Sequence, residues 1–157
     1  MKTKLLCFFR ECRGYQYVAT EFLNMDVSAW DGKNLVEIEV KVSIQDLKSD
    51  FNKDKWVFYS PDLVNSYCVP NKFYYAITKE ISEKAIPLIE KQFPNFGIMI
   101  VNPVEIELRK ESKLVTVVKE SKFIHREVMS RENEMRFVSR VCGEIIYFRK
   151  KALERTV

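Results

Sequence analysis

Asp26, Glu39 and Lys41 have the residue types and the spacing that chemistry would need. They fall within MDVSAWDGKNLVEIEVK, residues 25–41, where two extended runs flank a turn-forming Asp31-Gly32-Lys33-Asn34. Side chains alternate along a strand, so Asp26, Ser28 and Trp30 share one side of the first run. On the second run Val36, Ile38 and Val40 oppose Glu37, Glu39 and Lys41. Asp26 and Glu39 are hard oxygen donors of the kind that Mg2+ or Mn2+ accepts, with the Val40 carbonyl as a further oxygen. A cation held there would neutralise a phosphodiester, activate a water and stabilise the leaving oxygen. Lys41 stands ~6.6 Å beyond Glu39 on the same face, where it can hold the attacking water or stabilise charge growing on phosphorus. The competing reading is structural: a Glu-x-Lys on a strand is commonly a solvated pair worth under ~1 kcal/mol.

These residues need a sheet to hold them and helices to cover it. Residues 2–12 read as a first helix, with Leu5, Phe8 and Phe9 inward and Gly14 ending it. Tyr15 to Met25, rich in aromatic and β-branched residues, reads as a strand leading into the hairpin. Ser43 three before Asp46 is a capping signal, and Ile44, Leu47 and Phe51 recur at helical spacing behind it. Pro61 and Pro70 mark a loop from Tyr59 to Asn71; Lys72 to Ile77 follows as a buried strand. Glu80 to Gln92 reads as a helix that Pro87 should kink or divide. GIMIV, residues 97–101, fits a central strand, and Val104 to Leu108 an edge strand. Beyond Lys119 the pattern turns helical and takes in His125; Ser130 then caps a helix striped by Met135, Val138, Cys142 and Ile145. The expectation is α/β: a mixed sheet flanked by helices, with a basic helical extension at the C-terminus.

The chain has 157 residues, enough for one domain with a substantial core, and that single domain is expected to span 1–157. No apolar run approaches the ~20 residues of a membrane span. LLCFF near the start is too short for a signal sequence, so a cytoplasmic protein is expected, with no membrane partner. Cysteines 7, 12, 68 and 142 lack zinc-site spacing and are expected to be reduced. With His125 the only histidine, a histidine-rich metal site is excluded. Residues 1–108 carry 13 Lys/Arg against 15 Asp/Glu, whereas residues 109–157 carry 13 against 7, a local charge of +6. A basic half beside an acidic cluster suits a polyanion, although a solvated helix face has the same composition.

Asp26 followed by Glu39-Val40-Lys41 resembles the PD-(D/E)xK nuclease signature, in a chain order similar to the αβββαβ core of that restriction-endonuclease-like superfamily. More narrowly, VEIEVKVSIQDLKSDF, NKFYYAI and GIMIV resemble the MmcB-like family of DNA repair endonucleases, over roughly residues 20–110. The resemblance implies Mg2+- or Mn2+-dependent hydrolysis of DNA in repair, recombination or mobile-element processing. It implies Asp26 and Glu39 as metal ligands and Lys41 as the catalytic lysine, and a homodimer is an open expectation. The alternative is a nuclease-fold module that binds nucleic acid or a protein partner without cutting.

Glu11, Glu37, Ser43 and Asp46 are candidate supporting residues: two further acids, a helix cap and a carboxylate to orient Lys41. Lys53, Lys55, Lys72, Arg126, Arg131, Arg136 and Arg140 are candidates for phosphate contacts. Tyr74 and Tyr75 could meet substrate, with core packing the stronger reading for at least one.

Overall fold

The computed structural model describes residues 1–59, 68–103 and 113–154. Six strands form one mixed sheet whose spatial order follows the chain. β1 (Tyr17–Phe22), β2 (Met25–Trp30) and β3 (Leu35–Lys41) make an antiparallel meander. Two short helices, α2 (Ile44–Asp50) and α3 (Lys55–Phe58), lead to β4 (Lys72–Thr78), which runs parallel to β3. α4 (Ser82–Gln92) carries the chain to a parallel β5 (Gly97–Val101), and β6 (Val115–Lys119) closes the sheet antiparallel. From the first helix to β4 the element order is the αβββαβ order expected, with α3 as an additional short helix before β4.

The alternation of β3 decides what lies on each face. Val36 and Ile38 join Val27, Ala29, Met99 and Tyr74 under α1 (Lys2–Cys7), which continues as a π-helical turn to Cys12 and supplies Leu5, Phe8 and Phe9. On the other face Leu47 of α2 and Ala85 and Ile89 of α4 pack on Phe73, Tyr75, Ile77 and Ile98. Of those sixteen buried apolar side chains, the Val, Leu, Ile, Phe and Met members contribute about 1.5–3 kcal/mol each, which fixes the register of β2 to β5. Gly97 is where β5 meets Tyr74: a Cβ there would lie 2.1 Å from the ring and 2.9 Å from the Ser121 backbone nitrogen.

α5 (Arg131–Glu154) covers the β1 edge. Ser130 caps it through its hydroxyl, which accepts the Asn133 N–H. Phe137 is sealed among Phe22, Trp30 and Leu35. Glu144 accepts the Thr20 N–H, and Arg140 donates to the Thr20 carbonyl at 2.7 Å. Edge-strand groups that would otherwise face solvent thus find partners on the helix.

Several expectations change. The strand read from Tyr15 to Met25 ends at Phe22, in a turn whose Leu23 and Asn24 take positive φ. Pro87 sits inside α4 without dividing it. Residues 115–119 form β6, a strand missed because its valines alternate too briefly to stand out. Residues 120–130 are not helical; His125 lies in that connection, 2.9 Å from the Val69 carbonyl. The expected strand at 104–108 lies outside the described residues. The inward stripe of α5 is Phe137, Val138 and Val141, while Met135, Cys142 and Ile145 are exposed. Among the described residues no helix is long and apolar enough to cross a membrane.

Candidate active site

β3 sets the site. Its parallel register with β4 places Glu37 beside Phe73, Glu39 beside Tyr75 and Lys41 beside Ile77. Because that face lies under α2–α4, the three charged side chains are buried, exposing 2%, 5% and 3% of their surface. An aromatic wall of Trp56, Tyr59, Phe73, Tyr75, Phe93 and Phe96 adjoins them. Charges in such a place must be paired.

The pairing is dense. Lys41 Nζ lies 2.9 Å from Glu39 Oε1 and 3.2 Å from Asp50 Oδ1, with Asp46 at 3.7 Å. Lys53 reaches the same Glu39 Oε1 at 3.3 Å and Asp50 at 2.5 Å. Lys55 bridges Glu39 Oε2 at 3.3 Å and Glu37 Oε1 at 3.1 Å. Tyr59 donates its hydroxyl to Glu37 Oε2, and Tyr75 donates to Asp50 Oδ2 at 2.8 Å. Asp50 Oδ1 receives no well-aligned hydrogen bond, but the two ammonium groups satisfy it ionically.

Electrostatics follow from this geometry. Burial works against the charge of Lys41, yet its bond to Glu39 and the fields of Glu39 and Asp50 raise its pKa and hold it as an ammonium. Burial would likewise push Asp50 up; the bond from Lys53, with Lys55, Tyr75 and Lys41, holds it below its ordinary value. Glu37 goes the other way: desolvation outweighs Lys55 and Tyr59, and its pKa is raised.

Asp26 is turned elsewhere. Its Oδ1 pairs with Lys2 of α1 at 2.9 Å, and its Oδ2 accepts the Val40 N–H at 2.9 Å, just beyond the last paired residues of β2 and β3. Glu39 and Asp26 are therefore held by different cations. Among the described residues no group of three or more His, Cys, Asp or Glu side chains could hold a metal ion. A divalent ion beside Glu39 would meet Lys41, Lys53 and Lys55 at close range. At an effective dielectric of ~20, each unit charge of like sign ~4 Å away costs about 4 kcal/mol, and a dication doubles it. The donor set, as arranged, does not fit Mg2+ or Mn2+.

The remaining candidates divide. Asp46 lies at the site, and Ser43 caps α2 by accepting the Asp46 N–H. Glu11 is exposed on the π-helical turn, across the sheet from Glu39, so it is no ligand there. Tyr74 and Tyr75 are both core residues. Lys72 and Arg126 converge on Phe123, 4.6 and 4.7 Å from its ring centre. Arg131 is exposed at the start of α5. Arg136 lines a cavity of about 620 Å3 with His125 and Asn71. Arg140 is spent on Thr20 and Glu144, which removes it from the phosphate contacts. A second cavity, about 340 Å3, opens over Glu37, Lys53, Lys55 and Tyr59.

No family model and no curated protein matches this chain. Among solved structures, the SPO1766 protein of Silicibacter pomeroyi, of unknown function, is similar, with a TM-score of 0.60 and 14% identity. The match covers 98% of this chain and 88% of that one. At that identity the likeness speaks for the fold alone.

Pattern alone does not single out Asp50, Lys2 or Tyr59. Asp50 did leave a signal: it follows Asp46 by four, which puts both on one side of α2, where both reach Lys41. Lys2 left none, because its partner Asp26 is 24 positions away and the contact exists only once α1 lies on the sheet.

Proposed function

We propose that this chain is a nucleic-acid-binding module of nuclease-like build, which holds a phosphate backbone without cutting it. The observation that carries the reading is the occupation of Glu39: Lys41 and Lys53 take one oxygen and Lys55 the other. A carboxylate so neutralised has nothing left to offer a catalytic cation. Nucleic acid is the favoured partner on three grounds. Lys53 remains about half exposed at the mouth of the site. Lys72 and Arg126 flank Phe123, an exposed aromatic of the kind on which bases stack. Residues 109–157 carry the excess of positive charge.

Fluorescence anisotropy with labelled DNA in EDTA tests it. Binding should persist without divalent ions and weaken with salt, and K72A/R126A should reduce the salt slope by about 2. Absence of DNA affinity at low salt removes the proposal.

One observation favours cutting instead: Glu39 and Lys41 share a strand face with Nζ and Oε1 at 2.9 Å, in the element order that the resemblance implies. Under that reading, plasmid nicking in Mg2+ or Mn2+ should appear and vanish in both E39Q and K41A.

A further inference from the structure

We infer that Lys53 and Lys55 are a built-in replacement for a divalent cation: two fixed ammonium groups supply at Glu39 the double positive charge a metal would bring. The inference rests on the non-cutting reading above and adds the residues responsible for it.

Three features argue for a built arrangement rather than two chance surface lysines. First, the ammonium groups divide the carboxylate between them, Lys53 on Oε1 and Lys55 on Oε2, each at 3.3 Å. Second, the turn that presents them is hydrogen-bonded throughout. Asn52 N–H donates to Ser49, Lys53 N–H to Asp50 and Trp56 N–H to Lys53, while the Trp56 indole donates to the Asp50 carbonyl at 2.6 Å. Third, Lys55 is boxed by ring faces, its Nζ lying 4.6 Å from the Trp56 centre and 5.3 Å from that of Phe73. A lysine stacked on two aromatics and bonded to two carboxylates is not free to swing away.

The charge balance gives the consequence. The buried Glu37, Glu39 and Asp50 are matched by the buried Lys41 and the more exposed Lys53 and Lys55, so the six charges sum to zero when all are ionised. Neutralising Lys53 and Lys55 leaves Glu37 with no lysine partner and Glu39 with Lys41 alone, and takes away two of the three ammonium charges that keep a dication from Glu39.

The test is calorimetric titration of Mn2+ alone into metal-free wild type, K53Q/K55Q and K53Q/K55Q/E39Q, with folding checked by circular dichroism. The wild type should give no Glu39-dependent heat. The double variant should gain a site at least tenfold tighter than any in the wild type, and the triple variant should lose it. Should the double variant fail to fold, K53Q, at the more exposed of the two lysines, should show the same gain in weaker form. Glu39-dependent Mn2+ binding by the wild type overturns the inference, as does a folded lysine variant with no gained site. DNA affinity of the same wild-type protein in EDTA is read separately. Its loss would remove the nucleic-acid reading and leave the cation replacement standing.

Discussion

Glu37 is a carboxyl group shut away from water and served by one hydroxyl and one ammonium. Burial dominates and raises its pKa, so the folded protein keeps this proton to a higher pH than the unfolded chain does. The stability tied to Glu37 is therefore greatest below the ordinary value of 4.5 and falls as pH rises through the raised one. E37Q, of the same shape and without charge, should gain on the wild type in urea midpoint as pH rises above 4.5. Asp50 has the opposite sign: its pKa is lowered, and the stability it lends is lost as pH falls below 3.8. The sequence marks Glu37, Glu39 and Lys41 as one strand face, and the structure keeps them so. What no periodicity could reveal is which cations would claim them. Lys53 lies in a turn and Lys55 at the start of α3 just after it, and the direction of that turn depends on Trp56 finding Asp50.

At the scale of elements, Gly97 and Gly143 should respond in opposite ways to the same change. A methyl at Gly97 has to displace the Tyr74 ring and with it the Tyr74–Glu120 hydrogen bond, so G97A should cost roughly 3 kcal/mol in urea unfolding. A methyl at Gly143, inside α5, meets nothing within 4 Å, and G143A should raise stability by roughly 0.5–1 kcal/mol through helix propensity. The β2–β3 hairpin, the Ser43 cap and the interior place of GIMIV could be read from local chemistry, since turn residues, a cap and an unbroken apolar run each act over a few positions. The inward face of α5 could not. Phe137, Val138 and Val141 compete with an equally apolar set on the other side, and only the approach of β1 selects between them. β6 was hidden for a related reason: five residues pairing with a strand fourteen or more positions earlier carry little pattern of their own.

Across the whole molecule, the last helix completes the first strand. Glu144 takes the Thr20 N–H and hydroxyl, and Arg140 takes its carbonyl. E144A should cost about 1–3 kcal/mol and bring concentration-dependent association in gel filtration, because the uncovered edge can pair with another chain. Beyond Glu144 the helix still shows Ile145, Ile146, Tyr147 and Phe148 to solvent, so loosening its anchor frees more apolar surface than one residue. The arrangement also has a price in time. Thr20 leaves the ribosome some 120 residues ahead of Arg140, so at ordinary translation rates the outer rim of the sheet stays bare for on the order of ten seconds. In that interval the nascent chain is open to capture by its neighbours on a polysome, and rare codons between β6 and α5 should lengthen the exposure and lower the yield of monomer.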